Sequence, residues 1–127
     1  METNVVNQKT ILIVDDDNNL RAIISSALEQ FGFRVFSAFD AASTFAILQQ
    51  NQIDLIIMDQ GLPGVEGIEL GAEILRQSPN SAPPIVLFTG TNDRELDRRA
   101  KAAGFVGYWI KPMGLKVIQE KIEALGL

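Results

Sequence analysis

Ile11-Leu12-Ile13-Val14-Asp15-Asp16-Asp17 sets four apolar residues directly before three carboxylates. The apolar part is short, mostly β-branched and never alternates with polar residues, the pattern of a strand buried on both faces. Leu20, Ile23, Ile24, Ala27, Leu28 and Phe31 follow at helical spacing, with Asp17 and Asn18 as the cap and Gly32 as the stop. A strand ending in acids and leading into an amphipathic helix is thus the first unit of the chain.

The same unit recurs. Phe33 to Ser37 reads as a second strand, and Asp40 caps a helix running to about Gln50. Ile53 to Met58 is a third strand, ending in Asp59 and the loop Gly61-Leu62-Pro63-Gly64. Ile68, Ala72 and Leu75 give the next helix its apolar face, which Gly71 weakens by about 1 kcal/mol relative to alanine. Pro84 to Phe88 is a fourth strand, and a helix from about Asn92 to Ala103 has little apolar surface beyond Leu96, Ala100 and Ala103. Val106 to Ile110 is a fifth strand, and Leu115, Ile118, Ile122 and Leu125 mark a final helix. Repeated βα units predict a doubly wound α/β domain: one parallel five-stranded sheet, helices on both faces, right-handed crossovers.

At 127 residues the chain fits one domain, and it can bury roughly two-thirds of its unfolded surface. It has no cysteine and no histidine, so thiolate chemistry and imidazole acid–base chemistry are excluded. Its net charge of −5 argues against binding nucleic acid through this domain, because phosphate contacts need a basic face. No apolar run approaches the ~18 residues of a membrane span. Met1 to Thr10 lacks the basic start and apolar core of a signal peptide. A cytoplasmic protein is therefore expected.

In open parallel sheets ligands bind at the carboxyl ends of the strands. Asp15, Asp16 and Asp17 lie there after the first strand, and Asp59 after the third. Thr89-Gly90-Thr91 follows the fourth, and Lys111-Pro112 the fifth. Clustered carboxylates repel one another and call for a cation. With only oxygen ligands to offer, Mg²⁺ is the natural candidate. A carboxylate beside that ion and a lysine can attack phosphorus, with a threonine hydroxyl donating to a phosphoryl oxygen. Taken singly these residues read otherwise: the acids as helix-dipole partners, Asp59 as a loop acid, Lys111 as a solvated strand end. Tyr108 and Trp109 read as packing in an apolar strand. The charged helix carrying Arg94, Arg98, Arg99 and Lys101 reads equally as a solvated face or a partner surface. Only the coincidence at one edge points to chemistry.

Ile13-Val14-Asp15-Asp16, Asp59-x-x-Leu62-Pro63 with Gly67, Thr89-Gly90 and Gly107-Tyr108-x-x-Lys111-Pro112, in this order, resemble the receiver domain of bacterial response regulators. The likeness runs from about residue 9 to 125. It implies a flavodoxin-like fold with strand order 2-1-3-4-5. It implies Asp59 as phosphoacceptor for a sensor histidine kinase or histidine phosphotransfer protein. Mg²⁺ would be held by Asp16, Asp59 and the backbone carbonyl of Gly61, with Asp15 acting largely through metal-bound water. Lys111 would pair with the phosphoryl group, and the Lys111-Pro112 peptide would be cis. Thr89 and Tyr108 would form the switch that alters the face of the fourth helix, fifth strand and fifth helix for a downstream protein. The domain would assist its own phosphorylation and dephosphorylation without being a turnover enzyme. The resemblance leaves no room for an output domain in 1–127, and a monomer is expected, with dimerisation on phosphorylation left open.

The chain departs from the family pattern at Gly61 and Thr91, where a side chain often influences loss of phosphate, and at Glu66 and Met113, where aspartate and phenylalanine are frequent. Modest self-dephosphorylation is the expectation. Three other readings compete. A flavodoxin-type cofactor binder would need a Gly/Ser/Thr-rich loop where three acids stand. An aspartyl-phosphate phosphatase could use Asp15 and Asp17. A degenerate receiver would bind partners without phosphorylation.

Overall fold

The computed structural model describes residues 8–127. The signal-peptide reading of residues 1–7 lies outside the described residues. The elements run β1 (Thr10–Val14), α1 (Asn18–Gln30), β2 (Arg34–Ala38), α2 (Ala41–Gln50), β3 (Leu55–Met58), β4 (Gly61–Leu62), β5 (Val65–Glu66) and α3 (Gly67–Gln77). They continue with β6 (Ile85–Thr89), α4 (Arg94–Ala103), β7 (Gly107–Ile110) and α5 (Leu115–Ala124). Five strands form one parallel sheet in the order β2-β1-β3-β6-β7. Counted within that sheet, this is the expected order 2-1-3-4-5.

Alternation along the central strands splits the core into two layers. Ile11, Ile13, Leu55, Ile57, Val86, Phe88 and Trp109 face α1 and α5, where Ile24, Leu28, Ile118 and Ile122 meet them. Leu12, Val14, Ile56, Met58, Ile85 and Leu87 face the opposite layer, meeting Ile68, Ile74, Leu96 and Phe105. Trp109 is packing, as read, its ring edge-on to Phe88 at 6.4 Å. Among the described residues no helix is long and apolar enough to cross a membrane.

Capping follows the sequence. Asp17 accepts from the Asn19 and Leu20 N–H groups, and Asp40 from that of Ser43. Gly32 ends α1 with φ of 100°, a left-handed turn open to glycine.

Four sequence readings change. Gly61 to Gly64 is not a plain loop: Pro63 and Gly64 turn a two-stranded antiparallel hairpin that pairs Gly61 with Glu66 and Leu62 with Val65. Ile23, Leu115 and Leu125 keep to helical spacing but stay exposed, because the packed stripe of each helix is narrower than its apolar pattern. In α3 the fully buried residues include Leu70 and Ile74, whereas Ala72 and Leu75 are only half-buried. Gly71, a weakness by helix propensity alone, is required: a Cβ there would lie 2.2 Å from the ring of Phe105, itself buried. The short α4 is as poorly anchored as its sequence suggests, with Leu96 and Ala100 its only buried side chains.

Candidate functional site

The sheet's ladder continues past the strand ends and sets the site. Asp59 N–H donates to the Val14 carbonyl at 2.8 Å, so the acid after β3 lies beside the acids after β1. Asp15 N–H donates to the Ala38 carbonyl at 3.0 Å, and Lys111 N–H to the Thr89 carbonyl at 2.8 Å. Residues 96 positions apart in sequence then touch: Lys111 Nζ donates to Asp15 Oδ2 at 2.7 Å. The same ammonium donates to Asp59 Oδ1 at 3.1 Å. The side chain of Lys111 is 21% exposed, against 5% for Asp15 and 12% for Asp59. The Lys111-Pro112 peptide is cis.

Burial, with the Asp15 charge beside it, raises the Asp59 pKa above the usual carboxylate value, and Lys111 only partly offsets this. Burial also works against the charge on Lys111, yet its bonds and proximity to Asp15 and Asp59 hold its pKa above that of a free lysine. The corner thus gathers more negative charge than one ammonium balances.

Asp15, Asp16 and Asp59 each offer a carboxylate oxygen, and these oxygens lie within 4.8 Å of one another. Hard oxygen donors at that spacing suit a small divalent cation. Asp16 is exposed, leaving its carboxylate open to solvent, whereas Asp15 Oδ1 also accepts from Asp17 N–H at 2.9 Å. Gly61 stands next to them, a Cβ there falling 3.8 Å from Asp59 Oδ2.

Thr89 is buried at the end of β6, and its Oγ1 accepts from Thr91 N–H at 3.3 Å. Tyr108 projects from β7 toward the loop before α4. Its hydroxyl donates to the Thr91 carbonyl and accepts from Asp93 N–H at 3.1 Å. Thr89 and Tyr108 therefore grip one short loop from two sides.

Residues that sequence reading passed over also contribute. Arg21, in the first turns of α1, donates to the Asp15 carbonyl at 2.7 Å and to Asn18 Oδ1 at 2.7 Å, fixing the acidic loop. Gln60, next to Asp59, is bonded on both its backbone and its side chain. Helical spacing from Asp17 could have suggested Arg21; nothing local marks Gln60.

The model of the response regulator receiver domain matches residues 11–123. The chain belongs to the response regulator receiver domain family. Similar proteins include the chemotaxis protein CheY of Pseudomonas aeruginosa, 32% identical over 116 residues, covering 91% of this chain and 94% of that one. The phosphate regulon regulator PhoB of the same organism is 31% identical, but the chain spans 51% of its length. For the sensor histidine kinase AruS, 36% identical, the chain spans only 12%. Among solved structures, Vibrio cholerae CheY4 superposes with a TM-score of 0.86 at 27% identity, covering 92% of this chain and 98% of that one. A CheY-like receiver from Methanospirillum hungatei gives 0.86 at 29%, covering 94% of each. The receiver fold and family expected from the motifs are thus established.

Proposed function

We propose that this receiver domain is the phosphoacceptor of a two-component pair, taking a phosphoryl group on Asp59 from a phosphohistidine of a sensor histidine kinase or phosphotransfer protein. The observation that carries the reading is the Lys111 ammonium bonded to both Asp15 and Asp59, beside a third carboxylate, Asp16. An Asp59 carboxylate oxygen attacks phosphorus while the P–N bond to the donor imidazole breaks. The departing ring nitrogen keeps the electron pair and takes a proton from solvent, and an acyl phosphate remains. Lys111 trades its bond with Asp59 for one to a phosphoryl oxygen, and the Thr89 hydroxyl donates to another. Asp16, Asp59 and the Gly61 carbonyl would hold Mg²⁺, with Asp15 in support; when bound, the ion offsets the charge that the carboxylates and phosphoryl oxygens share.

Bonding to phosphate turns Thr89 away from Thr91. The loop that Tyr108 holds then shifts, Tyr108 changes rotamer, and the face of α4, β7 and α5 is altered for a downstream protein. One local change in charge biases a two-state element. On this reading the protein acts in the cytoplasm, rests as a monomer, and is a phosphoprotein that assists gain and loss of its own phosphoryl group. The complete residue set lends no support to a phosphorylation-independent module.

Incubation with Mg²⁺ and a small acyl phosphate should add one phosphoryl group by mass spectrometry, and Asp59→Asn should abolish it. An unmodified wild type, or equal labelling of the variant, would remove Asp59 from the role.

A further inference from the structure

Four hydrogen bonds hold Gln60. Its carbonyl accepts from Leu62 N–H at 3.2 Å and from Gly67 N–H at 2.9 Å. Its Oε1 accepts from Ile68 N–H at 3.0 Å, and its Nε2 donates to Glu66 Oε2 at 3.2 Å. The start of α3 presses on the same stretch: a Cβ on Gly67 would lie 2.0 Å from the Asp59 carbonyl oxygen. The backbone that aims Asp59 is therefore boxed between β3 and α3, with Gln60 as the fastening.

That fastening reaches a distant helix. Glu66 is placed across the hairpin from Gly61, and its carboxylate is shared between Gln60 and Arg99 of α4. The guanidinium engages it as a fork, at 2.5 Å to Oε1 and 3.4 Å to Oε2. Among the described residues, the other ion pairs of α4, Arg98–Glu95 and Lys101–Asp97, stay within the helix; Arg99 alone ties α4 to the acceptor loop. Both partners are about four-tenths exposed, so the pair contributes little to stability by itself. Its effect is on geometry. The link also runs apart from Thr89 and Tyr108, which hold the loop before α4 and not the helix itself.

We propose that Gln60 is a positioning residue for Asp59, and that the Glu66–Arg99 pair makes its hold depend on where α4 sits. This rests on Asp59 being the phosphoacceptor. Reciprocity then requires that a partner favouring the resting position of α4 changes acceptor reactivity, and that phosphorylation changes affinity for that partner. The length of Glu66 matters, since an aspartate there is one methylene too short to serve both Gln60 and Arg99.

Two readouts separate the parts. Exchange of the Gln60 side-chain amide, followed by NMR without phosphodonor, reports the fastening. The maximal rate of phosphorylation by a small acyl phosphate at saturating Mg²⁺ reports the positioning. Arg99→Ala and Glu66→Asp should speed amide exchange and lower the maximal rate by about two- to tenfold, with the melting temperature and the half-saturating donor concentration unchanged. Glu66→Gln, which can still accept from Gln60, should lose less than Glu66→Asp. Arg98→Ala should match wild type in both readouts. Unchanged amide exchange in Arg99→Ala overturns the link to α4. Faster exchange with an unchanged rate overturns the positioning role. A wild type that accepts no phosphoryl group overturns the underlying reading as well, and is told apart from the other failures by that result alone.

Discussion

Replacing Lys111 by methionine removes the ammonium bonded to Asp15 and Asp59 while keeping an unbranched stem against Phe88, whose ring lies 5.4 Å from Nζ. Two carboxylates, with oxygens no more than 4.8 Å apart, then lose the counter-charge bonded to them. At an effective dielectric constant of about 20 their repulsion is about 3 kcal/mol, in line with the loss on breaking a largely buried ion pair. Protonating Asp59 offers an escape that sets a ceiling. Even from a normal pKa of about 3.9 this takes at most about 4 kcal/mol at pH 7 and about 1.5 kcal/mol at pH 5, and the raised pKa of Asp59 makes it less. Urea unfolding in EDTA should therefore show Lys111→Met destabilised by about 3 kcal/mol at pH 7 and by about 1.5 kcal/mol or less at pH 5. Saturating Mg²⁺ should narrow the difference at pH 7, because the cation replaces the missing charge. A loss of equal size at both pH values would mean that packing, not charge, holds the corner together. A loss at pH 7 below about 1 kcal/mol would show that the carboxylates are better solvated than their burial implies.

Metal-free Asp59→Asn should be more stable than wild type at neutral pH. The raised pKa of Asp59 means its ionised form opposes folding, so the advantage of asparagine should vanish below about pH 4 and grow as pH rises through the folded pKa; paired melts across that range check it. Gly71→Ala gains about 1 kcal/mol of helix propensity but drives a methyl into Phe105, so a net loss of about 1–3 kcal/mol is expected in thermal unfolding. Adding Phe105→Leu should recover part of that loss. Tyr108→Phe removes both bonds to the loop before α4, and amide exchange at Thr91 and Asp93 should quicken while phosphorylation of Asp59 persists. Gly61→Asn places an amide beside the Asp59 carboxylate, and the phosphorylated form should decay faster than wild type when followed by mass spectrometry.

Sequence alone determined the order of strands and helices and the end of the sheet where the carboxylates, Thr89 and Lys111 gather, because both follow from local pattern. Ile11 to Val14, Leu55 to Met58 and Pro84 to Phe88 are apolar without alternation, which a strand covered on both faces requires, and parallel strands put their following residues on one edge. Asp15, Asp16, Asp59, Thr89 and Lys111 were legible for that reason, and their motif order carried the family. What the tertiary structure decided is everything that depends on two distant segments meeting. Gly71 looks like a defect until Phe105 is seen against it, and Ile23 looks like core until α1 turns a narrower stripe to the sheet. Gln60, Glu66 and Arg99 are ordinary polar residues in sequence, lying in a loop, a turn and a charged helix. Only the hairpin at residues 61–66 and the packing of α4 beside α3 bring them into one bonded chain that ends at Asp59. Polar bonds across such separations leave no periodicity to read, since their geometry is set by the packing of the elements that carry them.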